Sequence, residues 1–192
     1  CYNQGNVESG GGHVGGIISY LNRGSTITNC YNLGNIISTG SSVNGVGGIT
    51  GLNYVRTGST TEVPSSYVVN CYNFGKITAA ANSNVGAITG SVADNRNKDC
   101  YYLDSSLESP SDTGYVTSVS EDEFKSGELS YLLDKGDSYL RKNIWSQDNL
   151  NGYPIFADGG NRPVYKISSH IEEGSGTIDV PSYVKAGSTV NI

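Results

Sequence analysis

The fold of this chain is decided by a seven-residue stretch, CYNLGNI at residues 30–36. Related stretches are CYNQGNV at residues 1–7 and CYNFGKI at residues 71–77, and a shortened copy, CYYL, occupies residues 100–103. The copies begin 29, 41 and 29 residues apart. Self-similarity at this period is typical of a repeat protein whose units stack on one another.

A second repeated element lies between these copies: VGGI at residues 14–17, VGGITG at 46–51 and VGAITG at 85–90. The segments are short, β-branched and separated by Gly, Asn and Ser, a pattern that predicts strands and turns. In the second repeat we expect strands around residues 27–31, 35–38 and 46–52. Three strands per repeat predict a mainly β chain whose residues 1–103 form a parallel β-helix (β-solenoid) of about three coils. An antiparallel sandwich is the alternative.

Each copy of the first motif contributes one cysteine: Cys1, Cys30, Cys71 and Cys100. In stacked coils these side chains would be parallel and about 4.8 Å apart, whereas a disulfide needs converging Cβ atoms about 3.8 Å apart. Zinc sites use closely spaced Cys pairs or His partners, which this spacing lacks. We therefore expect buried free thiols and no metal site.

Four more residues are expected to support the stacking. Asn29 and Asn70 precede successive cysteines, so their amides are expected to hydrogen-bond along the stack. Gly47 and Gly48 suit bends and close packing between coils.

The 41-residue step contains an insertion at residues 53–66, which we expect to bulge from the coil as a loop. Loops on a rigid scaffold often carry recognition. Tyr54, Arg56 and Glu62 are therefore the predicted ligand-binding residues, and an insertion without function is the alternative.

These motifs resemble the GLUG repeat. The resemblance is carried by VGGITGLN at residues 46–53 with NCYNFGKI at 70–77, and by VGGI at 14–17 with ITNCYNLGNI at 27–36. It implies an extracellular β-solenoid of secreted or wall-anchored bacterial proteins, many from the gut, with adhesion as the expected role and no catalytic residues. Ala87 and Asp104 depart from the pattern, and the second departure predicts that the solenoid ends there.

Residues 104–167 predict a small α/β cap. Ser120 and Glu123 form a capping box, which predicts a helix over residues 121–134, split near Gly127. Trp145 and residues 153–156 form a dense aromatic cluster, which we expect to cover the end of the solenoid; a sugar-binding platform is the alternative.

Residues 168–192 predict two strands, at 176–181 and 186–192. They resemble the first strands of an immunoglobulin-like β-sandwich module, so we expect a partial module of this kind; pairing of these strands with the cap is the alternative.

Composition narrows the function. The net charge of −6 argues against nucleic acid as a partner, because phosphate contacts need Lys and Arg. No apolar run is long enough to cross a membrane, and residues 1–103 contain only four acidic residues. We expect no catalytic residues and no cofactor.

The predicted function is a monomeric, extracellular module at the bacterial cell surface that binds a host glycan or protein. The alternative is a carbohydrate-active β-helix enzyme or an accessory carbohydrate-binding segment.

Overall fold

The computed structural model describes residues 1–22, 24–40, 45–54, 65–80, 83–92, 96–112, 114–135, 143–148, 152–157, 162–172 and 176–190. The chain is mainly β, with a small helical part. It divides into two compact units, Cys1–Val119 and Ser120–Ile192.

The first unit is made of short strands with one 3₁₀ helix at Asp104–Ser106. In chain order the strands are β1 (Tyr2–Asn3), β2 (Val7–Ser9), β3 (His13–Gly15), β4 (Ile18–Leu21), β5 (Thr26–Thr28), β6 (Tyr31–Asn32), β7 (Ile36–Ser38), β8 (Gly45–Gly47), β9 (Thr50–Asn53), β10 (Tyr67–Val69), β11 (Tyr72–Asn73), β12 (Ile77–Ala79), β13 (Val85–Gly86), β14 (Thr89–Val92), β15 (Asn97–Leu103) and β16 (Gly114–Val119).

Strands from successive repeats pair in the register that the motifs predict. Tyr31 lies opposite both Tyr2 and Tyr72, and Tyr72 lies opposite Tyr101. Three further sheets stack β2-β7-β12, β3-β8-β13 and β4-β9-β14. Every strand pair in the described part of this unit is parallel. An antiparallel sandwich is therefore excluded for these residues.

The second repeat contains five short strands where three were predicted. Asn29 has a left-handed backbone (φ 51°) and interrupts the first predicted strand, while a bend at residues 48–49 interrupts the third. The bend includes Gly48, which the sequence predicts to suit bends, and the other interruption falls on an asparagine, a residue type that tolerates a left-handed backbone.

Two apolar clusters fill the interior of the first unit. One contains Cys30, Cys71 and Cys100 together with Leu21, Ile49, Val68 and Ile88. The other is formed by Val14, Ile36, Val46 and Ile77. Each buried Val, Leu or Ile side chain contributes about 1.5–3 kcal/mol relative to exposure. The repeated motifs therefore supply the core residues.

The four cysteines are free thiols, of which Cys1 is exposed and the other three are buried. Burial raises the pKa of Cys71 well above its ordinary value, so this side chain is a protonated thiol at neutral pH. Because the thiolate is the reactive form, Cys71 is both inaccessible and unreactive in the folded chain.

A thiol reagent should therefore distinguish Cys1 from the three buried cysteines. In native buffer we expect 5,5′-dithiobis(2-nitrobenzoic acid) to modify one thiol rapidly, and in denaturant all four, with the sites assigned by mass spectrometry. Labelling of Cys71 or Cys100 at the rate of Cys1 in native buffer would contradict the buried ladder.

The first unit continues beyond the boundary expected at residue 103. Strand β16 pairs in parallel with β15, with Cys100 opposite Val116 and Leu103 opposite Val119. Residues 114–119 lack the cysteine motif, but they supply β-branched side chains, and Val119 is buried. The compact unit accordingly ends at residue 119 instead of 103.

In the second unit, the predicted capping box and split helix are confirmed. Helix α1 (Glu121–Ser126) begins after Ser120, whose side chain accepts from the Glu123 N–H while the Glu123 carboxylate accepts from the Ser120 N–H. Gly127 takes a left-handed backbone (φ 87°), and helix α2 (Glu128–Lys135) follows. Glycine tolerates this conformation without a steric penalty, which explains the break.

The second unit also contains two antiparallel strand pairs: β17 (Trp145–Gln147) with β18 (Pro154–Phe156), and β19 (Val164–Lys166) with β20 (Tyr183–Lys185). The last strand thus occupies residues predicted as a turn, and the described residues at 176–180 are not strand. Because β20 pairs with β19, residues on both sides of the boundary expected at 167/168 share one sheet and one compact unit. Among the described residues after 168, Tyr183–Lys185 form the strand, and it pairs with β19 of the cap, which is the alternative stated for this segment; residues 191 and 192 lie outside the described residues.

Candidate functional site

Tyr54 stands at the start of the insertion and is the predicted ligand-binding residue that the structure describes. It follows β9, its N–H donates to the carbonyl of Leu21 at 2.9 Å, and its side chain is 37% exposed. Arg56 and Glu62, the other two predicted ligand residues, lie outside the described residues. The backbone of the preceding repeat therefore holds Tyr54 at the surface.

The two ends of the insertion are held together beneath Tyr54. Asn53 and Ser66 are buried, and the Asn53 side-chain amide donates to the Ser66 carbonyl at 3.1 Å. Asn53 Oδ1 and Ser66 Oγ have no hydrogen-bond partner within the described residues. A fixed stem of this kind lets the scaffold carry an insertion without disturbing the adjacent strands.

Tyr54 forms an exposed aromatic pair with Tyr20. Strands β4 and β9 pair with Tyr20 opposite Leu52, so Tyr54 lies diagonally across from Tyr20 on the neighbouring strand, within the reach of aromatic side chains. Their ring centroids are 5.7 Å apart with an interplanar angle of 26°, and Tyr20 is 38% exposed. The sequence analysis did not identify Tyr20, because its position does not recur as tyrosine in the other repeats.

His13 and Ile18 extend this pair. The His13 ring stands edge-on to Tyr20 with the centroids 5.9 Å apart, and Ile18 is 37% exposed. We call His13, Ile18, Tyr20 and Tyr54 the tyrosine patch. Strands β3, β4 and β9, which carry or precede its members, contain no Asp, Glu, Lys or Arg. The patch thus combines apolar rings with hydroxyl and imidazole groups on strands without charged side chains.

Partial burial lowers the pKa of His13 below its ordinary value, so the imidazole is neutral at physiological pH. Its Nδ1 is buried and has no hydrogen-bond partner among the described residues. A buried acceptor without a partner carries a free-energy cost of about 1–3 kcal/mol.

A second set of stacked tyrosines serves the scaffold. The rings of Tyr2, Tyr31 and Tyr72 stack 5.1 Å apart and nearly parallel, and Tyr31 and Tyr72 are at most 3% exposed. This stack follows the repeat register, whereas the Tyr20–Tyr54 pair is diagonal and exposed. Stacking alone therefore does not mark a binding site in this chain.

An asparagine ladder that the sequence analysis missed runs through the CYN motifs. Asn3 Nδ2 donates to Asn32 Oδ1 at 2.7 Å, and Asn32 Nδ2 donates to Asn73 Oδ1 at 2.8 Å. Each of these amides also donates to the carbonyl of the glycine two residues later. Asn32 and Asn73 are fully buried. The ladder gives the buried side-chain amides of Asn32 and Asn73 hydrogen-bond partners. We therefore assign these asparagines to the scaffold.

The predicted scaffold residues Asn29 and Asn70 make the expected contact: Asn70 Nδ2 donates to Asn29 Oδ1 at 2.6 Å. Both have a left-handed backbone. The predicted glycines lie at close approaches between repeats. A Cβ on Gly47 would overlap the backbone of Ile88 and Gly90 in the next repeat, and one on Gly48 would overlap the carbonyl of Ala87.

Asp112 is a buried carboxylate that the sequence analysis did not single out. Backbone N–H groups of Ala87, Ile88 and Thr89 all donate to it, with Ile88 at 3.2 Å and Thr89 at 2.6 Å from Oδ1. Asn97 Nδ2 lies 3.4 Å from the same oxygen. Burial raises the pKa of Asp112 to about 6, against the opposing effect of the N–H donors.

The role of Asp112 follows from the group that accepts the equivalent N–H donors in the preceding repeat. The N–H groups of Ile49 and Thr50 donate to the carbonyl of Ile88 in the next repeat. Ile88 and Thr89 are the matching residues of the third repeat, and their N–H groups donate to Asp112. A raised pKa is common at catalytic carboxylates, but this one is occupied by backbone donors. Its carboxylate replaces the carbonyl of a further repeat and closes the stack.

The aromatic cluster of the second unit is a core. Trp145 is fully buried, and its ring lies 5.1 Å from that of Phe156. Trp145 is therefore not available as a sugar-binding platform.

The described residues offer neither a cluster of metal ligands nor a membrane-spanning helix. In the ranges that the structure describes, no three His, Cys, Asp or Glu side chains are grouped as a metal ion would need. The helices described in the second unit are too short or too polar to cross a membrane.

Comparison with protein-family models, with curated proteins and with solved structures finds no match to this chain. The resemblance to the GLUG repeat therefore rests on the motifs themselves. The features that bear on function are the tyrosine patch and the paired strands that carry it.

Proposed function

We propose that the first unit is a parallel β-helix of GLUG type that serves as a non-catalytic, extracellular structural and adhesion module of a bacterial surface protein. Parallel sheets that pair equivalent residues of successive repeats support the architecture. The module presents the tyrosine patch at its surface, where it binds a host glycan or protein.

The observation that carries the proposal is the exposed tyrosine pair beside the insertion. Aromatic side chains bury 150–250 Å² each and dominate interface energetics, and Tyr31 and Tyr72 are buried in this unit. Tyr20 on β4 and Tyr54, which directly follows β9, instead remain more than one-third exposed, and β4 pairs with β9. Exposed aromatic surface held in a fixed geometry is a feature of recognition sites.

Two further features support the non-catalytic and extracellular parts of the proposal. The raised-pKa carboxylate of Asp112 is bound by backbone donors, so it is engaged in the scaffold. Cys71 and Cys100 are buried, and burial raises the pKa of Cys71. Burial protects such thiols in an oxidising environment, since oxidation follows thiolate character and exposure.

A binding and turnover experiment tests this function. The purified chain is applied to a glycan array and to immobilised host epithelial surface proteins, and each bound glycan is then incubated with the chain and assayed for new reducing ends. We expect binding to a glycan or protein without release of reducing ends. Turnover of a bound glycan, or the absence of binding to either class, would overturn the proposal.

A further inference from the structure

From the tyrosine patch we infer that the ligand is a glycan and that a neutral sugar ring stacks on Tyr20 and Tyr54. This inference rests on the proposed function and specifies its ligand class and its site. Three properties of the patch favour a sugar over a protein partner: its size, its charge and its mixture of chemical groups.

The size of the patch fits a small ligand. A standard protein interface buries about 800 Å² on each partner. Tyr20 and Tyr54 are 38% and 37% exposed, so of the roughly 150–250 Å² that each aromatic side chain offers, less than half is accessible. Ile18 adds one further partly exposed side chain. The exposed area matches one or two sugar rings.

The charge of the patch fits a neutral ligand. The strands that carry His13, Ile18 and Tyr20 contain no charged residue, and the lowered pKa of His13 keeps its imidazole uncharged. Binding of a sulfated or sialylated sugar would call for Arg or Lys in a bidentate or ion-pair contact, which the described residues of the patch do not supply; Arg56 of the insertion lies outside the described residues. Neutral hexose units need no such partner.

The chemical groups of the patch fit a sugar ring, which has an apolar C–H face and a rim of hydroxyl groups. The offset tyrosine rings supply a flat apolar platform held by the backbone of two adjacent strands. Tyrosine hydroxyls and the His13 imidazole both donate and accept hydrogen bonds, as sugar hydroxyls do. Because the two rings already stack against each other, little side-chain entropy would be lost on binding, which favours affinity.

Titration with neutral oligosaccharides tests the inference. Cello-, xylo-, manno- and galacto-oligosaccharides are added to the isotope-labelled chain at up to about 10 mM, a concentration at which affinities near 1 mM are measurable, and amide shifts are followed by NMR. We expect one of these series to bind and to shift the amides of residues 18–20 and 52–54. Tyr20→Ala and Tyr54→Ala should each weaken binding at least about tenfold, equivalent to about 1.4 kcal/mol.

Two further variants separate stacking from other effects. Tyr54→Phe retains the ring and should bind within about threefold of the wild type, since stacking on an aromatic face does not need the hydroxyl. Tyr115→Ala removes a tyrosine of the same unit that is 74% exposed and should leave binding unchanged. Unchanged melting temperatures confirm that the four variants are folded.

The possible results separate this inference from the proposed function. Oligosaccharide binding that survives Tyr20→Ala and Tyr54→Ala, or binding to host proteins alone, would overturn the inference and leave the proposed function standing. If neither oligosaccharide nor protein binds, both are overturned. Binding that is lost in the two alanine variants and retained in Tyr54→Phe and Tyr115→Ala supports both.

Discussion

Gly75→Ala will lower the free energy of unfolding of the first unit by about 3 kcal/mol or more, at the upper end of overpacking effects. A Cβ at Gly75 would overlap the carbonyl group of Gly34 in the preceding repeat and would lie 3.0 Å from Asn32 Nδ2. The carbonyl group of Gly34 belongs to the bend between β6 and β7, and both of these strands pair with the next repeat. It therefore cannot move away without separating the two repeats. Urea unfolding followed by circular dichroism measures the change.

The chain supplies a matched control for this substitution. Gly5 occupies the same position in the first repeat, but a Cβ there would meet only Asn3 Oδ1 at 3.7 Å, an ordinary contact. Gly5→Ala should therefore change stability by less than about 1 kcal/mol, with the reduced entropy of the unfolded chain acting in its favour. Equal effects of Gly75→Ala and Gly5→Ala would contradict the stacking of one glycine on the next.

The second large loss of stability is expected when Asp112 is replaced. Asp112→Ala removes the acceptor of the Ala87, Ile88 and Thr89 N–H groups, and each buried donor left without a partner costs about 1–3 kcal/mol. We expect a loss of about 3–5 kcal/mol at pH 5, measured by urea unfolding. Ser111→Ala is the control, because the Ser111 hydroxyl donates a single bond to the Gly90 carbonyl, and it should lose less than about 1 kcal/mol.

The effect of Asp112→Ala should depend on pH in a defined direction. Burial raises the pKa of Asp112 to about 6 in the folded chain, above its ordinary value of 3.8. The folded state therefore binds the proton more tightly, so the associated stability is fully present below about pH 4 and is lost as the pH rises through about 6. The wild type should lose up to about 3 kcal/mol over this range relative to Asp112→Ala.

Unfolding curves of both proteins between pH 4 and pH 8 test this expectation. The difference between wild type and Asp112→Ala should shrink as the pH rises. A difference that stays constant, or grows with pH, would show that the N–H donors outweigh burial at this carboxyl group.

Repeats in a sequence predict pairing well when each copy carries the same motif. The three CYN motifs predicted that successive repeats stack, and Tyr31 pairs with both Tyr2 and Tyr72, its equivalents in the neighbouring repeats. The capping box at Ser120 was likewise predicted, since its partners are three residues apart and the motif is local.

Contacts between unlike segments were not predictable in this way. Strand β16 pairs with β15 without a cysteine motif, so no repeat in the sequence marks this pairing. Asp112 meets Ala87 from 25 residues away, and a single carboxylate in a polar segment gives no signal of its partner. Tyr20 contacts Tyr54 on a diagonal between β4 and the end of β9. This contact could be identified only from the register in which the two strands pair.

Hydrogen-bond scalar couplings in the NMR spectrum test the parallel pairing of repeats most directly. The structure predicts couplings from the amide nitrogen of Tyr31 to the carbonyl carbon of Cys1, from Tyr72 to Cys30 and from Tyr101 to Cys71, whose N···O distances are 3.2, 3.1 and 3.0 Å. Observation of these three couplings would establish in-register parallel stacking. Couplings from the same amides to antiparallel partners within their own repeat would contradict it.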